Sequence, residues 1–62
     1  MQLLINPNSY DKIKDFQKLL ISRGINNEIN HQSMGLVMNI HDNDLEMIIN
    51  LAQKNHIFLE RL

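Results

Sequence analysis

Residues 25–41 read INNEINHQSMGLVMNIH and carry the pattern of a β-hairpin. Apolar and polar residues alternate weakly before Ser33 and clearly after Gly35, as expected of two strands that each bury one face. The stretch between them has the composition of a tight turn, because glycine can adopt the positive φ angle that such turns require. This segment therefore predicts two antiparallel strands, Ile25 to Ser33 and Leu36 to Ile40.

The turn of this hairpin can be centred in two ways. A loop at residues 33–34 pairs Ile29 with Met38, whereas a loop at residues 34–35 pairs Ile29 with Ile40. Both registers keep the apolar residues on one face of the sheet. The hairpin is therefore predicted in either case, and its loop is left open.

The segment before the hairpin has the pattern of a helix that begins near Tyr10. Apolar residues at positions 13, 16 and 20 form one stripe at helical spacing. Asn8 or Ser9 is expected to cap the start of this helix, since both residue types accept hydrogen bonds from the first free N–H groups. Gly24 is expected to end it in a left-handed conformation.

The segment after the hairpin predicts a second helix. Leu45 begins an apolar stripe that continues at positions 48, 49 and 52. Asn43 and Glu46 have the spacing of a capping box, in which each side chain bonds to the backbone N–H of the other. At the far end, Asn55 is expected to take the left-handed position that follows the last turn.

Apolar stretches at the two ends, Met1 to Ile5 and Ile57 to Leu62, complete the order β-α-β-β-α-β. Right-handed crossovers then favour an α+β fold, a four-stranded antiparallel sheet with both helices on one face. We expect a single domain spanning residues 1–62. The residues expected on the uncovered face are Gln2, Leu4, Glu28, Asn30, Val37 and Asn39, with either Ile57 or Phe58 beside them.

The composition restricts the partners that are expected. The 62 residues include 6 basic and 7 acidic side chains, for a net charge of −1 at pH 7. Proteins that bind nucleic acid through phosphates normally have a basic excess, so no direct nucleic-acid partner is expected. No apolar run approaches the roughly 20 residues that span a bilayer, so no membrane association is expected. The absence of cysteine fits a reducing compartment, and we expect a cytoplasmic location.

The only local cluster that resembles a set of metal ligands is His41-Asp42-Asn43-Asp44. Its position at a helix start favours capping, because Asp and Asn are the preferred residues there. No serine lies in a nucleophile motif, and neither glycine belongs to a phosphate-binding loop. The sequence therefore predicts no enzymatic activity, no cofactor and no metal site.

The three aromatic residues argue against an RNA-binding sheet. Such a sheet stacks bases on exposed aromatics of its central strands. Here Tyr10 and Phe16 fall on a predicted helix, and Phe58 falls on the last strand, towards an edge. The predicted central strands carry aliphatic and amide side chains instead.

The polar side of the hairpin is the candidate binding surface. Amide side chains beside an apolar residue, on a backbone fixed by its own ladder, resemble a protein–protein interface. An ordinary hydrophilic sheet surface is the alternative reading, because single exposed apolar residues are common. The predicted partner-binding residues are His31, Asn39, Asn30, Gln32 and Val37.

The whole chain, in length and in order of segments, resembles the Dmd antitoxin family of T4-like phages. The resemblance rests on the opening Met1-Gln2-Leu3-Leu4-Ile5-Asn6-Pro7, the lysine-rich first helix and the polar hairpin from His31 to Asn39. It implies a phage protein made in the cytoplasm of the infected bacterium. It also implies that the protein binds a host RNase toxin of the RnlA/LsoA kind and blocks it by occlusion, and we expect it to be monomeric when free.

A second class of function stays open. The strand from Ile25 to Ser33 is predicted at the edge of the sheet and has few charges to prevent pairing with another strand. The chain would then be a small non-enzymatic regulatory or assembly module that self-associates through this edge. A stable dimer on a sizing column would favour the module, and a monomer would favour the inhibitor.

Overall fold

The computed structural model describes all 62 residues, and it contains four strands and two α-helices. Each helix is preceded by a 3₁₀ turn, Pro7–Lys12 before the first and Asp42–Asp44 before the second. The α-helices are α1, Ile13–Ser22, and α2, Leu45–Lys54. The strands are β1, Gln2–Ile5; β2, Asn27–Gln32; β3, Gly35–Ile40; and β4, Leu59–Arg61.

The strands form one antiparallel sheet in the order β2-β3-β1-β4. Leu3 of β1 lies opposite Met38 of β3, and both side chains are fully buried against the helices. Both helices cover this one face, as predicted for the α+β fold. The buried core residues are Leu3, Ile5, Ile13, Phe16, Leu20, Ile25, Met38, Ile40, Ile48, Leu51, Ala52 and Ile57.

The hairpin turns at residues 33–34, the first of the two predicted registers. Ile29 pairs with Met38, and Gln32 pairs with Gly35 next to the turn. Gly35 has a φ of +127°, and a Cβ at this position would lie 2.8 Å from the hydroxyl oxygen of Tyr10. The same hydroxyl accepts a hydrogen bond from the backbone N–H of Leu36 at 3.3 Å. The backbone conformation at this position therefore favours glycine, and an added Cβ would also have to displace the Tyr10 hydroxyl.

The predicted cap of the first helix is wrong. The chain enters α1 through the 3₁₀ turn, and Asn6 caps that turn by accepting a bond from the N–H of Asn8 at 2.8 Å. Ser9 is fully buried, and its Oγ accepts a bond from the N–H of Phe58 at 2.9 Å. Ser9 therefore joins the start of α1 to the strand at the other end of the chain.

The predicted capping box of the second helix is also wrong. No side chain caps either the 3₁₀ turn or α2 at its start. The turn closes through its own backbone, with the N–H of Asp44 bonded to the carbonyl of His41 at 3.0 Å. The N–H groups of Asp44 and Leu45 thus find backbone partners without the side chain of Asn43.

Both helices end in the same backbone motif, with one difference from prediction. Gly24 follows α1 with a φ of +75°, and the N–H of Ile25 bonds back to the carbonyl of Leu20. After α2 the left-handed residue is His56, with a φ of +57°, and not Asn55. Asn55 instead donates a side-chain bond to the carbonyl of Leu51 at 2.8 Å.

None of the helices has the length and apolar character that crossing a membrane would require.

Candidate protein-binding face

The side of the sheet that faces away from the helices is not covered by any other element, and we call it the open face. Side chains alternate along each strand, and the cross-strand register shows which residues of the four strands point to this face. Phe58 and Leu62, which flank β4, share the orientation of Glu60. The open face consists of Gln2, Leu4, Glu28, Asn30, Gln32, Val37, Asn39, Phe58, Glu60 and Leu62.

Val37 lies at the centre of the open face. It pairs with Leu4 on one side and with Asn30 on the other. Its side chain is completely buried, although it belongs to no part of the core beneath the helices. Neighbouring side chains on the open face must therefore close over it, so Val37 is a dry, covered centre of the face and offers no contact surface to a partner.

Three amide side chains form the polar rim on the hairpin side. Asn30, Gln32 and Asn39 are each half-buried. The hydrogen bonds that side chains make within the protein involve other residues. These amides therefore keep both donors and acceptors available for a partner, and their backbone is fixed by the β2–β3 ladder.

His31 does not join this group. It pairs with Leu36, on the side of the sheet that carries the helices, and its side chain is exposed. The structure brings together Asn30, Gln32, Val37 and Asn39, four of the five predicted site residues, and places the fifth on the opposite face. A contact between His31 and a partner stays a prediction, and it would need a partner that wraps around the hairpin.

The charged side chains are distributed unequally between the two sides of the sheet. The open face carries Glu28 and Glu60 and no Lys or Arg. Arg61, the one cation on a strand, alternates with Glu60 and so faces the helical side. The remaining cations lie on α1, α2 or the turns beside them: Lys12, Lys14, Lys18, Arg23 and Lys54.

The β4 side of the open face is apolar, a feature that the sequence reading did not include in the site. Phe58 is 60% exposed and Leu62 is 56% exposed. Beside them lies a concavity of about 280 Å³, lined in part by Leu4, Pro7 and Phe58. The signal for this patch was the alternation of β4, which sets Phe58 and Leu62 on the same side as Glu60.

The acidic cluster predicted to serve the helix start has no ligand geometry around it. Nowhere in the chain do three His, Asp or Glu side chains come together as they would around a metal ion. Asp42 is exposed, and its carboxylate lies 3.4 Å from the N-terminal amine. An exposed pair of this kind contributes little to stability.

Comparison with protein-family models, curated proteins and solved structures finds no match to this chain. The open face, with its amides and its charges, is the feature of the structure that bears on function.

Proposed function

We propose that the protein is an antitoxin-like inhibitor that binds a bacterial endoribonuclease toxin with its open face and blocks it by occlusion. The observation that carries this proposal is the composition of that face, with free amides, a dry centre and carboxylates as its only charges. The resemblance to the Dmd antitoxin family supports the same partner. The site of action would be the cytoplasm of an infected bacterium.

The charges of the open face suit an enzyme that cleaves RNA. Such an enzyme must hold a phosphate backbone, and it does so with Lys and Arg side chains. Glu28 and Glu60 lie near the two edges of the sheet and would face a cationic surface without any opposing cation of their own. Complementary charge accelerates the encounter and fixes orientation more than it adds affinity.

The amides supply specificity once the two proteins meet. Asn39 lies in β3 between Gln2 of β1 and Glu28 of β2, so its backbone is held on both sides. A side chain on such a rigid strand loses little freedom on binding. If a partner donates to and accepts from this amide, replacing it would leave those groups unpaired at about 1–3 kcal/mol.

The proposal is tested by titrating purified RnlA or LsoA with this protein and following the cleavage of an RNA substrate. Cleavage should stop near an equimolar ratio, and the two proteins should co-elute on a sizing column. Undiminished cleavage at a large excess of the protein, with separate elution, would refute the proposal.

The contribution of charge can be separated with two matched variants. Glu28→Lys reverses a charge on the open face, whereas Glu46→Lys makes the same change at an exposed position on α2. The Glu28 variant should slow association and weaken inhibition, most strongly at low salt, because the attraction is screened at high salt. The Glu46 variant should inhibit like the wild type.

The second candidate, a self-associating module, is favoured by the length of the β2 edge. β2 has six residues, of which only Glu28 is an acid or a Lys or Arg. An antiparallel pair centred on Ile29 would place Glu28 opposite Asn30 of the second copy, so no like charges would meet. Sedimentation equilibrium decides between the two: a dimer that His31→Pro dissociates and His31→Ala leaves intact supports the module.

A further inference from the structure

The outer edge of β4 presents backbone groups that have no partner in the protein. The carbonyl of Phe58 accepts a bond from Asn6 at 2.9 Å, and the N–H of Leu62 bonds to Gln2 at 3.2 Å. The residues of β4 that bond to β1 are thus the even-numbered ones. Because an antiparallel ladder alternates, the N–H and C=O groups of Leu59 and Arg61 face outwards.

Concavities with hydrophobic lining residues lie on both sides of this edge. The one on the open face has a volume of about 280 Å³, and three of its six lining residues are hydrophobic, Leu4 among them, with Asn6 and Glu60 also in its wall. The one on the helical side has a volume of about 300 Å³, and five of its six lining residues are hydrophobic, Ile49 of α2 among them. Phe58 and Leu59 line both concavities.

The other edge of the sheet is different. The concavity beside the start of β2 is lined by polar side chains, including Asn26, Glu28 and His41, and Ile40 is its one hydrophobic residue. Free backbone groups occur at both edges, but only at β4 do concavities with several hydrophobic lining residues lie on both sides of them.

This combination fits an extended chain. A helix satisfies its own backbone and would leave the outward groups of Leu59 and Arg61 unpaired. A strand would bond to them and would direct alternate side chains into the two concavities, the arrangement by which sheets accept peptides. A second copy of the chain is a poor occupant, because the antiparallel register that pairs all three residues of β4 sets Glu60 opposite Glu60.

We propose that the β4 edge accepts an extended segment of a different protein as a fifth strand. The segment has apolar residues that face Phe58 and Leu59 and a basic residue that faces Glu60. The β4 edge lies beside the open face. Binding of a strand there does not depend on the partner being an RNase, so this site goes beyond the function proposed above.

The test uses a display library of short, fully randomised linear peptides selected on the full-length protein. The best peptide is then bound to the isotope-labelled protein, and amide hydrogen exchange is measured. Exchange should slow at Leu59 and Arg61 and stay unchanged at Asn27, Ile29 and His31, whose N–H groups face outwards at the β2 edge. The selected peptides should share adjacent apolar residues next to Lys or Arg, with the basic residue before them in an antiparallel fifth strand and after them in a parallel one.

Three variants sharpen the result. Arg61→Pro removes an outward N–H without removing a bond to β1, and Arg61→Ala removes only the side chain. Peptide binding should weaken at least about ten-fold in the proline variant and less than about three-fold in the alanine variant. His31→Pro makes the same backbone change at the β2 edge and should bind normally. Failure to select any peptide, protection at β2 instead of β4, or normal binding by Arg61→Pro would each overturn the proposal.

Discussion

The two edge strands of the sheet are held in place by different means. β2 is six residues long and is joined to β3 by a two-residue turn, so its position is set by neighbours in sequence. β4 has only three residues, and the bond from its preceding Phe58 N–H to Ser9 spans 49 positions of the chain. The locally specified edge was therefore predictable as a hairpin strand with one of two registers, whereas the attachment of the other edge depends on a contact that only the complete fold creates.

The two edges also differ in the partners that they can bind. The β2 edge is polar on its flanks and has no like charges opposed when it pairs with itself about Ile29. The β4 edge has hydrophobic side chains on both flanks and opposes like charges when it pairs with itself. The residues that oppose each other in self-pairing therefore permit a second copy of the chain at β2 and favour a strand from a different protein at β4.

The largest effect on stability is expected at the turn that fixes β2. Gly35→Ala should lower the free energy of unfolding by about 2–3 kcal/mol, because it places a side chain at a φ of +127° and against the Tyr10 hydroxyl. Gly24→Ala is the control, since Gly24 has a φ of +75° but no atom near the added Cβ. It should cost about 1 kcal/mol. If urea denaturation gave the same loss of unfolding free energy for both variants, the Tyr10 side chain would have moved aside at no measurable cost.

The attachment of β4 predicts the next effect. Ser9→Ala should cost about 1–2 kcal/mol, because the partly buried N–H of Phe58 loses its acceptor. Ser22→Ala removes an exposed hydroxyl that bonds within α1 and should change stability by less than about 0.5 kcal/mol. Hydrogen exchange should also accelerate at Phe58 in the Ser9 variant and stay slow at Val37. Equal denaturation midpoints for the two variants would mean that β4 is held by its packing alone.

The entry into β4 predicts a gain in stability. His56→Gly should raise the free energy of unfolding by about 0.5–1 kcal/mol, since a left-handed φ of +57° strains a residue with a Cβ. Asn55→Gly should do the opposite, because it removes the side-chain bond to Leu51. If thermal denaturation showed that Asn55→Gly stabilises the protein and His56→Gly destabilises it, the left-handed residue after α2 would be Asn55 and not His56.

The smallest effect is expected at Asn43. Its side chain caps nothing, so Asn43→Ala should stay within about 0.5 kcal/mol of the wild type. Asn6→Ala removes the observed cap of the first 3₁₀ turn and should cost about 1 kcal/mol. Loss of stability in the Asn43 variant alone would restore the capping box.

The sequence predicted the order of elements, the hairpin and the faces of β1, β2 and β3, because each depends on local periodicity, and it left the face of β4 open. It failed at the starts of the helices, where the first cap lies at Asn6 and the second helix has no side-chain cap. The chain enters both helices through 3₁₀ turns, in which the N–H groups of Ser9 and Asp44 bond to carbonyls three residues earlier. Neither turn has the hydrophobic periodicity by which a helix is recognised, so the predicted caps fell at the wrong residues.

The hairpin part of the candidate site was predictable from the sequence, and the β4 part was not. Asn30, Val37 and Asn39 come together because cross-strand register is implied by the hairpin. His31 alternates to the other face, a separation that the pattern of β2 already contained. The alternation of β4 groups Phe58 and Leu62 with Glu60, but assigning this group to the open face required the position of β4 against β1, which no local pattern specifies.

The central claim, that the open face binds the toxin, is tested most directly by two lysine substitutions on opposite faces of the same hairpin. Asn39→Lys places a bulky cation on the open face, and His31→Lys places one on the helical side. The inhibition constant against RnlA or LsoA is measured for both, with circular dichroism to confirm folding. The Asn39 variant should inhibit at least about ten-fold more weakly than the wild type, and the His31 variant should stay within about two-fold. Full inhibition by the Asn39 variant, or a greater loss in the His31 variant, would contradict the claim.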